Sequence, residues 1–415
     1  MSRRHAAAAL AATFTIAPDA AAQEAGEREW IGGRPFSEWR RVAGDLGGLR
    51  TALEDVGIEV AGTYVADFAA PWSGSGRRRS ALPSLLDVNV AFDLEYLLGL
   101  PRTTAYIDAY DLLGRDISRD IGDFQGVSNI QGQNGAQIAE VWCETWLFDS
   151  FRVKAGKIDF NSEFAVAELS GDFVNSTAAL PSTIVAYPTF PNPATAVNLF
   201  YAPDEYFYVG VGLFDGANAE GVNTGRLGPA GFFGGDDSDA WFVCEEVGVA
   251  WQGGGTWGSG RLAVGAFQHT AKFTRFSDGG TTSGTAGGWA TFEQTFWREN
   301  PAEPDDQGIG AFATIGFADD DVSAVGNSVA LGVNWVGAFP GRDFDAIGLG
   351  VFRVDLSDEP AAGTPEDETA FELFYKLQLT PAITVKPELQ YVLNPGGATG
   401  VDDVLIGLLR VEILF

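Results

Sequence analysis

Acidic, aromatic and basic side chains recur at every second position in the stretch EVWCETWLFDSFRVKAGK. These alternate positions hold Glu140, Trp142, Glu144, Trp146, Arg152 and Lys154. Because side chains two residues apart share one face of an extended strand, the stretch predicts two neighbouring strands with a common polar face. Carboxylate and guanidinium groups hydrogen-bond hydroxyls, and indole faces stack on the apolar side of a sugar ring. The pattern suits passage of a neutral, polyhydroxylated solute; the alternative is that the charges only neutralise one another.

A second set of alternating polar positions lies near the C-terminus. The segments 369–379, 382–392 and 404–415 each combine an apolar face with a face that carries ionisable groups. The polar positions are Glu372, Lys376, Lys386, Glu388, Gln390, Arg410 and Glu412. We expect these side chains and the first set to line one water-filled pore through the protein.

The longest gap between strand-like segments, 159–194, is too apolar for a loop tip that extends into solvent. Loops of this length usually serve a function or are disordered. We expect this loop to fold into the pore and narrow it, with Asp159, Asn161 and Glu163 near the constriction. The alternative is a lid that packs over the rim.

The rest of the chain is dominated by alternation with period two, which is typical of strands. The alternating segments are 58–70, 86–97, 103–112, 137–148, 151–158, 195–202, 205–214, 240–252, 260–273, 286–297, 308–318, 325–337, 344–354, 369–379, 382–392 and 404–415. Their lengths fit tilted strands that cross a bilayer, and their even number fits an outer-membrane barrel.

The connections between these segments alternate between long and short in the first half of the chain, as in barrels with long external loops and short periplasmic turns. The last segment runs to Phe415, which fits a strand that pairs with the first strand and leaves no free edge. We therefore predict an all-β fold, a closed transmembrane antiparallel β-barrel of 16 strands. Glu245 falls on the apolar face of 240–252, which predicts a bulge or a shifted register there.

The N-terminal region differs from the strands. Arg3 and Arg4, an apolar stretch and a run of alanines at 20–22 are typical of a cleaved secretory signal, although an alanine-rich helix is the alternative. Apolar residues at helical spacing predict a helix over 36–57 that ends at Gly57. We expect a signal peptide at 1–22, a periplasmic segment with a short helix at 23–57 and the barrel at 58–415.

The charge balance restricts the partners. The 415 residues include 26 basic and 56 acidic side chains, for a net charge of −30, which argues against a nucleic-acid partner. Acidic clusters fall in the predicted external loops, where they either bind divalent cations at a lipopolysaccharide surface or are merely solvated. These clusters are Asp236-Asp237, Asp319 to Asp321, Glu366 to Glu368 and Asp402-Asp403.

Few residues are suited to catalysis or metal binding. Cys143 and Cys244 are the two cysteines, and we interpret them as apolar fillers, with a disulfide as the alternative. His269 is the one histidine after the predicted signal, so neither a histidine metal site nor a serine–histidine hydrolase is indicated. We expect no enzymatic activity, no metal and no cofactor.

Five segments resemble the carbohydrate-selective outer-membrane porins (OprB-like). They are GDLGGLRTALEDVGI, EVWCETWLFDSFRVKAGK, YPTFPNPA, GRDFDAIGLGV and FELFYKLQLTPAITVKPELQYVLNPGG, which spread from residue 44 towards the C-terminus. The resemblance implies a sixteen-stranded barrel that passes sugars by facilitated diffusion, with its helix on the periplasmic side. Cys143 departs from the pattern, since a larger apolar residue is expected there.

This resemblance and the charged faces predict passive diffusion of carbohydrates, monosaccharides such as glucose among them, across a Gram-negative outer membrane. The alternatives are a general or cation-preferring porin, or a secreted soluble sugar-binding protein. Whether the barrel is a monomer or a homotrimer stays open.

Overall fold

The computed structural model describes residues 35–415 except 75–78, 185, 228–237, 303–305, 360 and 365–366. The predicted signal peptide, Asp236-Asp237 and Glu366 therefore lie outside the described residues. In the part of the chain that is described, no helix is both long and apolar enough to cross a membrane.

Sixteen antiparallel strands form one closed barrel in which each strand pairs with its neighbours in the sequence. They are β1 (Ile58–Pro71), β2 (Ser84–Asp93), β3 (Thr103–Leu113), β4 (Gly135–Leu147), β5 (Phe151–Ile158), β6 (Ala194–Asp204), β7 (Phe207–Asp215), β8 (Trp241–Trp251), β9 (Gly260–Thr274), β10 (Thr281–Arg298), β11 (Gly308–Ala318), β12 (Val325–Val336), β13 (Ala346–Leu356), β14 (Glu368–Thr380), β15 (Ile383–Leu393) and β16 (Val404–Leu414). The predicted fold class and number of strands are confirmed.

The barrel closes where β1 pairs with β16, in a register that sets Thr63 opposite Leu414 and Asp67 opposite Arg410. The ladder continues to the last residue, because the backbone N–H of Phe415 donates to the carbonyl of Gly62 at 2.9 Å. Since every strand has two partners, the barrel has no free edge.

Long connections gather at one rim of the barrel and short turns at the other. The long-loop rim carries 114–134, 159–193 and 216–240, whereas 148–150, 205–206 and 381–382 are short turns at the opposite rim. The connections 275–280 and 319–324 at the long-loop rim are shorter than 299–307 and 337–345 at the opposite rim, so the alternation of lengths is broken there, but the strand order is unchanged. Among the described residues of this region the strands are the predicted ones, β10, β11 and β12.

The predicted helix over 36–57 is much shorter in the structure. It is reduced to two 3₁₀ turns (Phe36–Glu38 and Leu46–Gly48) and α1 (Leu49–Glu54). Gly47 and Gly48 have φ of 73° and 97°, a left-handed conformation that interrupts an α-helix. The apolar spacing suggested a longer helix, but the glycines between the apolar residues prevent it.

A second helix replaces the end of a predicted strand. The segment 86–97 stops being extended at Asp93, whose side chain accepts a hydrogen bond from the backbone of Tyr96 and caps α2 (Leu94–Leu98). Two further one-turn helices, α3 (Ser118–Ile121) and α4 (Ser176–Ala179), lie in the loops at the long-loop rim.

The bulge or shifted register expected at Glu245 is wrong. β8 pairs with β7 and β9 in unbroken register, with Val211 and Ala266 directly opposite Glu245. The carboxylate therefore points to the outside of the barrel and is exposed. The hydrogen-bonded ladder is kept, and an acidic side chain lies on the apolar surface.

The two faces of the wall differ as a membrane barrel requires. Large apolar side chains such as Phe68, Phe317 and Leu349 are more than half exposed on the outside. Ionisable side chains such as Glu372 and Lys386 are buried on the inside. This distribution matches an apolar belt around a polar interior.

Inside the barrel, aromatic rings lie against glycines directly opposite them on the neighbouring strand. The pairs are Phe200 and Gly210, Tyr208 and Gly248, Phe312 and Gly332, and Phe374 and Gly348. A Cβ atom at Gly210 would come within 2.3 Å of the Phe200 ring, and one at Gly248 within 2.0 Å of the Tyr208 ring. The absence of a side chain lets each ring lie flat on the wall.

Candidate functional site

The loop 159–193, called here the long loop, crosses the interior of the barrel. It leaves the wall at the end of β5 and contacts side chains of β8, β9, β10, β12, β14 and β15. It therefore spans from one wall to the opposite wall, and the alternative of a lid packed only over the rim does not describe its course.

One end of the long loop is held by a buried ion cluster on β5. Glu163 contacts the guanidinium group of Arg152 and accepts a hydrogen bond from Lys154 Nζ at 2.7 Å. Burial alone would raise the pKa of Glu163, but the two adjacent cations outweigh it and lower that pKa. Glu163 therefore attaches the long loop to two cations of the barrel wall.

The same two cations lie against aromatic rings. The Arg152 guanidinium is 4.3 Å from the centroid of the Phe200 ring, and Lys154 Nζ is 3.8 Å from that of Trp142. Trp142 also stacks on Tyr106 at a centroid distance of 4.7 Å. Cation–π contacts and the ion cluster thus fix both cations at this wall.

The far side of the long loop is held by a second cluster on β14 and β15. Asp172 forms an ion pair with Lys376 at 2.8 Å, and Lys386 donates to the backbone carbonyl of Asp172. Burial would raise the pKa of Asp172, but Lys376 and then Lys386 lower it. Each end of the crossing segment therefore has one carboxylate docked on wall lysines.

Wall carboxylates also accept hydrogen bonds from the backbone of the long loop. Glu372 accepts from the N–H groups of Val174 and Asn175 at 2.7 and 2.9 Å. Between the two ends, Glu246 accepts from Ala165 at 2.9 Å and Glu293 from Leu169 at 2.6 Å. Buried backbone donors need such partners, so these carboxylates fix the path of the loop.

Glu246 and Glu293 were missed by sequence reasoning, although each is an inward-facing acid within a predicted strand. Glu246 also accepts hydrogen bonds from Tyr208 Oη at 2.6 Å and Trp289 Nε1 at 2.7 Å. The signal is the alternation of 240–252 and 286–297, which places both glutamates on the inner face.

Asp159 and Asn161, predicted near the constriction, bond within the long loop. Asp159 accepts from the Thr189 hydroxyl and the Phe190 backbone N–H, both at 2.7 Å, and so joins the two ends of the loop. The Asn161 amide donates to the carbonyls of Phe164 and Ala165. In the structure these side chains shape the loop.

The loop 114–134, called here the second loop, also enters the barrel and was not predicted to do so. The backbone N–H groups of Phe124 and Gln125 donate to Glu368 on β14 at 2.7 and 3.0 Å. The Ser128 hydroxyl donates to Asp67 at 2.6 Å, and Arg410 donates to the Asn129 side chain at 2.7 Å. The second loop is therefore fixed to the barrel seam and to β14.

The two loops also bond to each other. Asn129 N–H donates to the carbonyl of Val174 at 2.8 Å, and Ser176 N–H donates to that of Gly126 at 3.0 Å. Together they occupy the interior next to the long-loop rim as one hydrogen-bonded unit.

The other predicted positions face the interior of the barrel with different degrees of exposure. Glu140, Glu388, Gln390 and Arg410 are buried. Trp142, Glu144, Trp146, Lys376 and Glu412 are half-buried. The two partly exposed carboxylates have cations nearby: Glu144 lies 3.4 Å from Arg152, and Glu412 lies 4.0 Å from Lys386 and from Arg410.

Other predicted features give no further site. Cys143 is exposed, Cys244 is buried, and both are free thiols. Within the described ranges, no group of three or more histidine, cysteine, aspartate or glutamate side chains is arranged to hold a metal ion.

Comparison with known proteins identifies the family to which this barrel belongs. The family model for the carbohydrate-selective porin, OprB family, matches residues 80–415. Porin B of Pseudomonas aeruginosa is 26% identical, and the match covers 92% of each chain. A putative porin, QuiX, of Acinetobacter baylyi is 23% identical over 99% of this chain and 98% of the relative.

Solved structures agree on the fold. The high-pH structure of Pseudomonas putida OprB superposes with a TM-score of 0.82 at 23% identity, covering 92% of this chain and all of that one. The low-pH structure of the same protein gives 0.60 at 20% identity, over 91% of this chain and 99% of that one. With a family model that matches most of its length, the chain belongs to the OprB family of carbohydrate-selective porins.

Proposed function

We propose that the chain lets carbohydrates, monosaccharides such as glucose among them, diffuse passively through a water-filled, charge-lined pore. Members of this family are channels and not enzymes, and a porin with this fold is an outer-membrane protein. The observation that carries the proposal is the pair of charged walls, Arg152 and Lys154 facing Lys376 and Lys386, joined by the long loop.

The chemistry of these walls suits a neutral, hydroxylated solute. Partly exposed carboxylates, Glu144 and Glu412, lie beside cations and offer acceptors next to donors. The half-buried Trp142 and Trp146 add aromatic surface on the side of Glu144. A sugar that loses part of its hydration can exchange water for these groups, whereas an ion meets both signs of charge.

In this proposal the sixteen residues predicted from the sequence divide into two roles. Trp142, Glu144, Trp146, Lys376 and Glu412 contact the solute, because these side chains of the strands retain exposure at the inner wall. The others hold the walls and loops that set the width of the passage. The long loop is then the constriction.

Liposome swelling with a panel of sugars tests the proposal. We expect monosaccharides to enter faster than uncharged solutes of equal size that lack ring hydroxyls. Deletion of 165–185 should raise the single-channel conductance, and an unchanged conductance would refute the constriction. Equal swelling rates for all uncharged solutes of one size would support a general porin.

The alternative of a cation-preferring pore follows from the acidic interior, to which β8, β10 and β14 add Glu246, Glu293, Glu368 and Glu372. Reversal potentials in planar bilayers under a salt gradient, with and without glucose, separate the two functions. A strong cation preference without block by glucose would favour the alternative.

We further propose a Gram-negative outer-membrane location reached through the periplasm after cleavage of residues 1–22, with α1 on the periplasmic side. The long-loop rim then faces outward towards lipopolysaccharide, where Asp319 to Asp321 and Asp402-Asp403 can attract divalent cations. N-terminal sequencing of the mature chain tests the cleavage. Native mass spectrometry of the full-length protein in lipid nanodiscs gives the copy number, one or three.

A further inference from the structure

An apolar groove crosses the outer surface of the barrel next to its seam. It has a volume of about 690 Å³ and is lined mainly by outward-facing residues of five neighbouring strands, β13, β14, β15, β16 and β1. Ala70 and Pro387 are small side chains in the groove, and Phe68, Leu389 and Leu409 are large ones beside them. Neighbouring strands lie about 4.8 Å apart, so the groove runs over about 19 Å of the wall.

The shape of this groove is built into the wall. The register of β14 and β15 is interrupted between Phe374 and Leu377, beside Pro387 on the adjacent strand. Proline has no backbone N–H to donate to a ladder. Towards the long-loop rim the Trp72 indole lies on Gly407, where a Cβ atom would come within 2.1 Å of the ring. The groove is therefore set by backbone and ring positions and not by the rotamer of one flexible side chain.

The outer surface of a membrane barrel faces lipid, so an acyl chain is the occupant that an apolar groove admits. One acyl chain reaches to the middle of the bilayer, about 15 Å or half of the hydrocarbon core. An oblique groove over about 19 Å of wall therefore holds most of one chain and has no room for a second chain end to end. Which lipid supplies the chain depends on the charges at the two ends of the groove.

The end of the groove at the rim with the short turns presents a cation. Phe339 and Tyr375 line this end, with their ring centroids 5.8 Å apart. Asp345 accepts a hydrogen bond from the Tyr375 hydroxyl and two from the Arg342 guanidinium, each of these two at 2.7 Å. The Asp345 side chain is 2% exposed and that of Arg342 is 40% exposed. The carboxylate is thus enclosed, and the guanidinium group is the charge that faces the lipid head groups.

The end of the groove at the long-loop rim presents acidic groups instead. Ser73, next to Trp72, lies beside the backbone of Asp403, and the Asp403 carboxylate accepts a hydrogen bond from the Tyr391 hydroxyl at 3.0 Å. Asp402 adjoins it and is exposed. Because like charges repel, a lipid phosphate is disfavoured at this end and favoured at Arg342.

We propose that this groove binds one glycerophospholipid from the leaflet at the rim with the short turns. One acyl chain lies across β13 to β1, and the phosphate accepts hydrogen bonds from Arg342. A guanidinium group has five N–H donors and forms charge-assisted hydrogen bonds with phosphate oxygens, so it can serve Asp345 and a phosphate together. The site rests on the proposed outer-membrane location and not on the transport of sugars.

Competition between three lipids tests the site. The full-length protein in detergent is mixed with equal amounts of palmitoyl-oleoyl phosphatidylglycerol, the diacylglycerol with the same two chains, and lipid A, and native mass spectrometry reads what stays bound. We expect one phosphatidylglycerol per barrel. The diacylglycerol should bind about tenfold more weakly, because it lacks the charge-assisted hydrogen bonds. Lipid A should also bind more weakly than phosphatidylglycerol.

Two pairs of variants separate the head-group end from the groove. Arg342→Gln should lower phosphatidylglycerol binding about tenfold, to the level of the diacylglycerol. Arg353→Gln is its matched control, since Arg353 is half exposed and also pairs with carboxylates but lies near the other rim. Ala70→Phe should fill the groove and reduce binding of both glycerolipids, whereas Ala313→Phe, on the outer face of β11, should leave both unchanged.

Barrels that retain no phosphatidylglycerol, or that prefer lipid A, would overturn the site. So would equal binding by the wild type and Ala70→Phe, or equal effects of the two arginine variants. A heat-dependent shift in gel mobility shows that each variant is a folded barrel. Sugar swelling rates should be the same in all four variants, because the groove lies outside the pore, so failure of either proposal leaves the other standing.

Discussion

Asp67 on the first strand and Arg410 on the last form two hydrogen bonds, of 2.7 and 2.8 Å, across the seam of the barrel. Both side chains are completely buried and occupy directly paired positions in the register. The same two groups bind Ser128 and Asn129 of the second loop. One ion pair therefore links closure of the barrel with docking of a loop.

We predict that Asp67→Asn lowers the free energy of unfolding by about 3–5 kcal/mol, because the Arg410 charge stays buried without its carboxylate. Urea unfolding followed by gel mobility measures the change. The double variant Asp67→Asn, Arg410→Gln should lose less than the sum of the two single losses, since neither charge is then left alone. Additive losses would show that the pair is not coupled.

Loss of the Glu163 carboxylate should loosen the long loop. In Glu163→Gln, Arg152 and Lys154 keep their charges but lose their common partner, so we expect a loss of about 3 kcal/mol of stability and frequent conductance steps in single-channel records. Glu144→Gln is the matched control: Glu144 is 3.4 Å from Arg152 but more exposed, so its loss should cost less than about 1 kcal/mol. Equal effects of the two variants would contradict the docking role.

Glu372→Gln should loosen the far side of the long loop, where it crosses to β14. A glutamine side chain places an N–H₂ group where one carboxylate oxygen accepted, so one of the two backbone donors, Val174 or Asn175, loses its partner. Hydrogen exchange at these amides should become about tenfold faster or more, as expected for the loss of one buried hydrogen bond. Glu388→Gln, an inward glutamate on the adjacent strand, should leave exchange at these amides unchanged.

Docking of the second loop should weaken as the pH rises. Burial and then the charge of Glu368 raise the pKa of Asp123 to about 7, from an ordinary value of 3.8, while the Ser118 hydroxyl and the Gly126 N–H oppose the shift. An acid whose pKa is raised on folding contributes stability that is complete below about pH 4 and is lost as the pH passes about 7.

Hydrogen exchange at residues 124–129, corrected for the intrinsic effect of pH, should therefore show stronger protection at pH 5.5 than at pH 8.5. In Asp123→Asn the difference should vanish. Protection that rises with pH in the wild type would reverse the predicted sign.

The sequence predicted the barrel because the bilayer imposes a simple rule on each strand. Apolar and polar residues must alternate wherever one face meets lipid, so sixteen segments were identified and their faces assigned. Sequence patterns gave a wrong secondary structure at two places, where glycine backbone conformation or helix capping decides the local structure. Gly47 and Gly48 interrupt the helix that the apolar spacing favoured, so that α1 begins only at Leu49, and Asp93 caps a helix where alternation continued.

The interior could be predicted only in part. The alternation placed Arg152, Lys154, Glu372 and Lys386 inside. Glu163, the partner of Arg152 and Lys154, is close in the sequence, but Glu372 and Lys386 bind backbone groups of a loop about 200 residues away. Asn129 meets Val174, and Glu368 meets Gln125, because the loops fold inward together. No local pattern in 114–134 indicates that course, since docking depends on the three-dimensional path of two loops.

The flat rings opposite Gly210, Gly332 and Gly348 form the floor on which the long loop rests, since Phe164 stacks on Phe200 and Phe173 packs on Phe312 and Phe374. A methyl group at any of these glycines would meet the ring on the neighbouring strand within about 2.3 Å and push that ring, and the loop resting on it, towards the barrel axis. The width of the pore can thus be altered by single substitutions, without an insertion or a change in the number of strands. Selection for variants that pass larger or smaller solutes should therefore first yield substitutions at these three glycines.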